Sequence, residues 1–237
     1  MFISRRDLLA STGFLLGGLT ARATTISGAL PWRPNAGSPP EPAQPGPWLY
    51  LTLAEAAAVE ALADRIIPPD SDTPGGKEAG CAVYIDRQLA GPYGRRAGFY
   101  LRPPFLPGGA QQGPQAETGP AQQYRAGLAA LDRLCRSQRR GMPFVALPDA
   151  EKDEILAQME SGGDGAEAQA FFELILKDVR EGFFADPIYG GNRNMVGWRM
   201  IGFPGARYDY RDWVGRHNEN YPLPPVAIMG RSDWILR

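Results

Sequence analysis

Apolar residues recur every three or four positions in five stretches of this chain, and that spacing predicts five amphipathic helices. The first runs from Thr52 to about Ile67, with Val59, Leu62, Ala63 and Ile66 on one face. Thr52-Leu53-Ala54-Glu55 opens it as a capping box, and Pro68-Pro69 stops it. The second spans about Glu78 to Ala90, with Cys81, Ile85 and Leu89 inward and Gly91 closing it. The third, about Pro120 to Arg139, carries the stripe Tyr124, Leu128, Leu131, Leu134 and Cys135 and ends at Gly141. Pro148 opens a fourth at its first turn, with Ile155, Leu156 and Met159 inward. After Gly162-Gly163-Asp164-Gly165 the fifth runs from about Ala166 to Phe184. Its stripe of Phe172, Ile175, Leu176, Val179 and Phe183 is widened by Phe171 and Leu174, which predicts a central position. No stretch reads as a strand ladder. The expectation is a mainly α fold of five to six helices in one domain, with long Gly/Pro-rich loops and an irregular C-terminal tail.

Between and beyond these helices the periodicity is lost. Residues 24–50 form a Pro/Gly/Ala-rich linker whose end, Trp48, Leu49 and Leu51, can dock on the body. Residues 92–119 make a long excursion that Tyr93, Phe99, Tyr100 and Phe105 can pin. The domain proper is expected over 51–237. Within it, 205–237 is an irregular tail bearing Tyr208, Tyr210, Trp213, Tyr221 and Trp234.

One block stands apart. Asp186-Pro187-Ile188-Tyr189-Gly190-Gly191-Asn192, then Gly197-Trp198, then Gly202-Phe203-Pro204-Gly205, concentrates glycine, proline and large rings. Glycine admits positive φ and close backbone approach, and proline fixes φ. The block therefore reads as shaped turns carrying rings. Asp186, Gly190, Gly191 and Asn192 set the turns, the Asp and Asn by bonding local backbone. Tyr189, Trp198 and Phe203 either shape an interface or hold the loops, so the block is a plug for its own core or a binding surface.

The N-terminus carries an address. Ser4-Arg5-Arg6-Asp7 precedes an apolar run from Leu8 to Leu19, and Ala21-Arg22-Ala23 is a small-x-small cleavage site. Arg5 and Arg6 are the twin arginine of a Tat signal peptide over 1–23, cut after Ala23. The run is too short and glycine-rich for a good membrane span. The Tat translocon moves folded cargo, so the expected location is the periplasm, and the cargo acquires a cofactor or a partner before export.

Composition narrows the chemistry. Lys+Arg number 25 against Asp+Glu 26, with no basic block, which argues against nucleic acid. A single histidine, His217, and two cysteines leave little for a metal, and no haem-attachment pattern occurs. Asp70-Ser71-Asp72-Thr73-Pro74-Gly75 fails as a calcium loop, with Pro at its fifth position and Cys81 at its twelfth. Gly163-Asp164-Gly165-Ala166-Glu167-Ala168 approaches a dinucleotide fingerprint but lies between two helices. His217 lacks a nearby serine, and Glu151/Glu154 reads as solvated charge. No catalytic set and no metal site are expected, nor any cofactor within this chain. Cys81 and Cys135 either pair with each other, remain single buried thiols, or bridge to a partner.

The order of these features resembles a known family. The twin arginine is followed by Ile66-Ile67-Pro68-Pro69-Asp70 and Tyr84-Ile85-Asp86. Tyr124-Arg125-Ala126-Gly127-Leu128, Leu131-Asp132, Gly141 with Phe144, and Phe171-Phe172 come next, and the glycine-aromatic block completes the set. Over about residues 48–215 the chain resembles gluconate 2-dehydrogenase subunit 3, the small gamma subunit of gluconate- and glucose-type dehydrogenases. The resemblance implies an accessory role beside a flavoprotein large subunit of the glucose–methanol–choline oxidoreductase type, which carries FAD and the catalytic base. The small subunit would bind that partner in the cytoplasm and escort it through Tat. A multihaem cytochrome c subunit, holding haem c, would accept electrons and keep the complex peripheral on the inner membrane. The competing reading is a stand-alone exported sugar-binding protein whose aromatic loops form a stacking pocket.

Overall fold

The computed structural model describes residues 46–98, 103–106, 108–109, 111, 117–207 and 209–228. The signal peptide with Arg5, Arg6 and Ala23, most of the 24–50 linker, Phe99, Tyr100, Tyr208 and the tail end with Trp234 lie outside the described residues.

Among the described residues there are six α-helices, and the expected mainly α class holds. Helix α1, Leu53–Ile66, begins with the capping box in place: Thr52 Oγ1 accepts from Glu55 N at 3.3 Å, and Glu55 Oε2 accepts from Thr52 N at 2.9 Å. Helix α2 is Cys81–Ala90, three residues shorter at its start than the apolar spacing predicts. The cause lies just upstream. Gly76 runs so close to α1 that a Cβ there would fall 2.5 Å from the Ala63 carbonyl, and Gly80 takes φ 83°, outside helical space. The chain can enter the helix only after Gly80.

Helix α3, Pro120–Gln138, starts on proline at its first turn. Helix α4 is Asp149–Glu160, with Pro148 as its N-cap and Asp149 and Glu151 at the positive end of its dipole. Helix α5, Ala166–Phe184, packs against all the other named helices and is the central element the wide stripe predicts. Helix α6, Val196–Ile201, lies inside the glycine-aromatic block, where the sequence reads as turns. Among the described residues the only β pairing is an isolated parallel bridge, Gly205 to Val226. No helix among them is long and apolar enough to cross a membrane.

One apolar cluster joins α1 to α5, with Val59, Leu62, Ile85, Tyr124, Ile155, Ile175, Val179 and Phe183 essentially inaccessible. Two buried carboxylates interrupt it. Asp86 on α2 accepts from the backbone N–H groups of Leu49, Tyr50 and Leu51 at 2.8, 2.9 and 2.9 Å, and from Arg87. It thereby clamps the end of the linker, whose Leu51 is buried while Leu49 stays exposed. Asp178 on α5 accepts from the Tyr93 hydroxyl at 2.9 Å and pairs with Lys177 at 3.2 Å. That contact pins the start of the long excursion to the central helix. Arg65 forks onto Asp153 at 2.7 Å and reaches Asp149 at 3.0 Å, tying α1 to α4 at the surface.

Candidate functional site

The last carbonyls of any α-helix lack intrahelical donors. At the end of α5 the glycine-aromatic block supplies them. Trp198 Nε1 donates to Phe184 O at 2.8 Å, and Asn192 Nδ2 donates to Ala185 O at 2.8 Å. The other end of the Asn192 amide, Oδ1, accepts from Gly197 N at 2.8 Å. Asn192 is fully buried at φ 46°, a left-handed conformation that asparagine tolerates better than most residues.

The glycines make this return path fit. A Cβ at Gly191 would fall 2.1 Å from Gly182 O, and one at Gly197 would fall 2.2 Å from Phe183 O, so the block lies directly against α5. Asp186 caps the 3-10 turn Pro187–Tyr189, with Oδ1 accepting from Ile188 N at 3.0 Å. Its Oδ2 accepts from Ile228 N at 2.8 Å and ties the tail to the block. Burial raises the Asp186 carboxyl above its ordinary value, and the two backbone donors offset part of that rise. Gly190 ends the turn at φ 97°. Gly202, at φ 68°, caps α6. Beyond it Phe203 N donates to Trp198 O at 2.8 Å. Pro204 O and Ala206 N pair with Val226 across the single bridge. The block also reaches the segment just before α2, where Arg193 N donates to Ala79 O at 3.0 Å.

The block thus has two sides. Inward, Ile188, Asn192 and Trp198 are buried. Outward, Tyr189, Met200, Ile201 and Phe203 are 39%, 57%, 57% and 43% exposed, and Phe184 at the end of α5 joins them at 37%. The Phe203 ring stands edge-on to Trp198 with centroids 5.1 Å apart, so an exposed ring is braced by a buried one. Trp198 holds the loops, while Tyr189 and Phe203 face outward.

Two concave surfaces among the described residues bear on the candidates. A shallow pocket of about 530 Å³ lies between Tyr84 and Gln88 of α2 and Glu181, Phe184, Asp186 and Tyr189. The Tyr84 ring packs on Gly182, where a Cβ would come within 2.9 Å. Burial, together with the Glu181 and Asp178 charges, raises the Tyr84 phenol to about 12. A cleft of about 720 Å³ runs between α3 and α5, floored by Ala126, Ala130 and Ala168 and edged by Arg133 and Glu167. It lies outside the block.

The remaining candidates are placed as follows. Cys81 and Cys135 are separate buried thiols, and burial raises them to about 12 and about 11. His217 is exposed. Glu151 and Glu154 both pair with Arg139. Among the described residues no three His, Cys, Asp or Glu side chains are grouped so as to hold a metal ion. Asp86 and Asp178 are structural groups that the apolar spacing alone does not single out. The available signal for Asp178 is a carboxylate three residues after Ile175, inside the apolar stripe of α5.

A family model described as gluconate 2-dehydrogenase subunit 3 matches residues 54–205, from the first turn of α1 to the last glycine of the block. No curated protein and no solved structure matches the chain.

Proposed function

From a chain that belongs to the gluconate 2-dehydrogenase subunit 3 family, we propose a non-catalytic accessory subunit that binds and stabilises an FAD-dependent gluconate- or glucose-type dehydrogenase large subunit. It escorts that partner, already folded, through the Tat pathway to the periplasm. There a cytochrome c subunit takes the electrons. The family match carries this reading. The outward side of the block supports it: half-exposed aromatic and aliphatic side chains on a backbone fixed by buried and half-buried hydrogen bonds suit a protein contact. A surface set in advance loses little freedom on binding.

The test replaces Arg5 and Arg6 with Lys and follows the partner flavoprotein by cell fractionation. Escort predicts that the partner stays in the cytoplasm with the variant. Undiminished arrival of the partner in the periplasm overturns it. The aromatic pocket beside Tyr84 and Tyr189 is what favours the competing reading, an exported sugar-binding protein. A colourless monomer that binds sugar would support that second reading; a yellow co-purifying large subunit supports the first.

A further inference from the structure

We propose that the shallow pocket between α2 and the end of α5 is a socket for an arginine side chain of the partner polypeptide. Its place on the dehydrogenase rests on the accessory-subunit reading; its chemistry rests on the pocket alone.

Three observations converge on a planar cation. The first is the charge at this end of α5. A helix C-terminus carries partial negative charge and favours lysine or arginine in its last turn. The last turn of α5 holds no basic residue. It holds Glu181 instead, and Asp186 follows two residues after the helix ends. Lys177, a turn earlier, already divides its charge between Asp178 at 3.2 Å and Glu181 at 2.9 Å. Lys177 therefore serves two carboxylates, Arg180 is exposed and does not line the pocket, and Asp186 adds a third negative charge nearby. The pocket lining includes Glu181 and Asp186 and no basic side chain.

The second observation is the walls. Tyr84, Phe184 and Tyr189 line the pocket, and the last two are 37% and 39% exposed. Aromatic faces attract cations, and guanidinium is the weakly hydrated, planar one that stacks on them. The third is division of labour among the polar groups. Both oxygens of Asp186 already accept backbone N–H groups. Glu181, with its side chain 46% exposed, is the carboxylate placed to receive a guanidinium. Gln88 adds an amide on the opposite wall. A neutral sugar would use the rings and donate hydroxyls to Glu181, but it brings no positive charge to offset the carboxylates, and a sugar acid is repelled by them.

The experiment titrates N-acetylarginine methylamide into the intact chain carrying labelled aromatic residues and follows the rings by NMR. The proposal expects the probe to shift Tyr84, Phe184 and Tyr189, and the lysine analogue to bind more weakly. Glu181→Gln, a surface change, should weaken the arginine probe about threefold, the scale of an exposed ion pair. Tyr189→Ala should weaken it independently. No shift with the arginine probe overturns the proposal. So does equal binding by Glu181→Gln, or the same shifts on adding gluconate or glucose. Escort is read separately by fractionation of the partner, so the pocket can fail while the accessory role stands.

Discussion

Asn192 and Gly191 show most plainly what the glycine-aromatic block requires of single residues. Asn192→Ala would leave Ala185 O and Gly197 N without partners in a buried site and would keep a left-handed backbone that alanine resists. Two unsatisfied buried groups and the strain together amount to about 3–5 kcal/mol, and urea unfolding of the variant should show a loss of that size. A loss under about 1 kcal/mol would mean that the two bonds do not organise the block. Asp178 makes a pH prediction. Burial raises its carboxyl above the ordinary value, against the opposing pull of Lys177 and the Tyr93 hydroxyl. The folded state therefore binds this proton more tightly than the unfolded state. Stability from this group rises as pH falls through the raised value and levels off below the ordinary carboxylate value of about 3.9. Asp178→Asn should lack that acid-side gain, so the stability difference between wild type and variant should move in the wild type's favour on acidification. A pH-independent difference contradicts the assignment. For the cysteines, burial holds both thiols protonated at neutral pH. Alkylation of the native protein should give no adduct and of the denatured protein two. Absence of adducts in denaturant, with a mass lower by two hydrogens, would show instead that Cys81 and Cys135 are paired.

At the scale of elements, α5 and the segments tied to it account for the fold. Its stripe was legible because seven apolar positions follow a helical repeat, and Leu174 and Leu176 sit partly buried at its margins. The ends of α1 and α3 were legible from a capping box and an initiating proline, both local signals. The start of α2 was not. It is set by Gly76 meeting Ala63 on another helix, a contact that no local pattern encodes. The same holds for α6: Gly190, Gly191 and Asn192 announce turns, but the helix that follows them depends on Trp198 reaching the end of α5. Of the candidate site, the turn-forming roles of Asp186 and Asn192 could be argued from residue type. Which backbone groups they bond, from Ala185 to Ile228, could not. Asp86 carries the prediction at this scale. Its carboxylate joins α2 to the segment entering α1 through three backbone donors. Asp86→Ala strands those donors, and a destabilisation of about 3–5 kcal/mol is expected in denaturant unfolding. Protease sensitivity should appear at the same time near Trp48 to Leu51. An unchanged unfolding midpoint would show that the clamp is dispensable.

Taken as a whole, the molecule is a helical body with one side of its glycine-aromatic block turned outward. Its core runs from α1 to the end of α5, and the block is braced on that end by Trp198 and Asn192. Rigid backing with half-exposed rings is how a protein presents a contact surface without losing much entropy on binding. In the proposed complex that surface meets the flavoprotein, and the N-terminal signal directs both to export. The most direct measurement is affinity purification of the tagged chain from its native cells, followed by an absorbance spectrum and separation of the subunits. The account predicts a large subunit at one-to-one stoichiometry that carries the flavin absorbance and all of the dehydrogenase activity, with the small chain colourless. A small chain recovered alone from every fraction, or one that oxidises a sugar acid without a flavoprotein present, would contradict it.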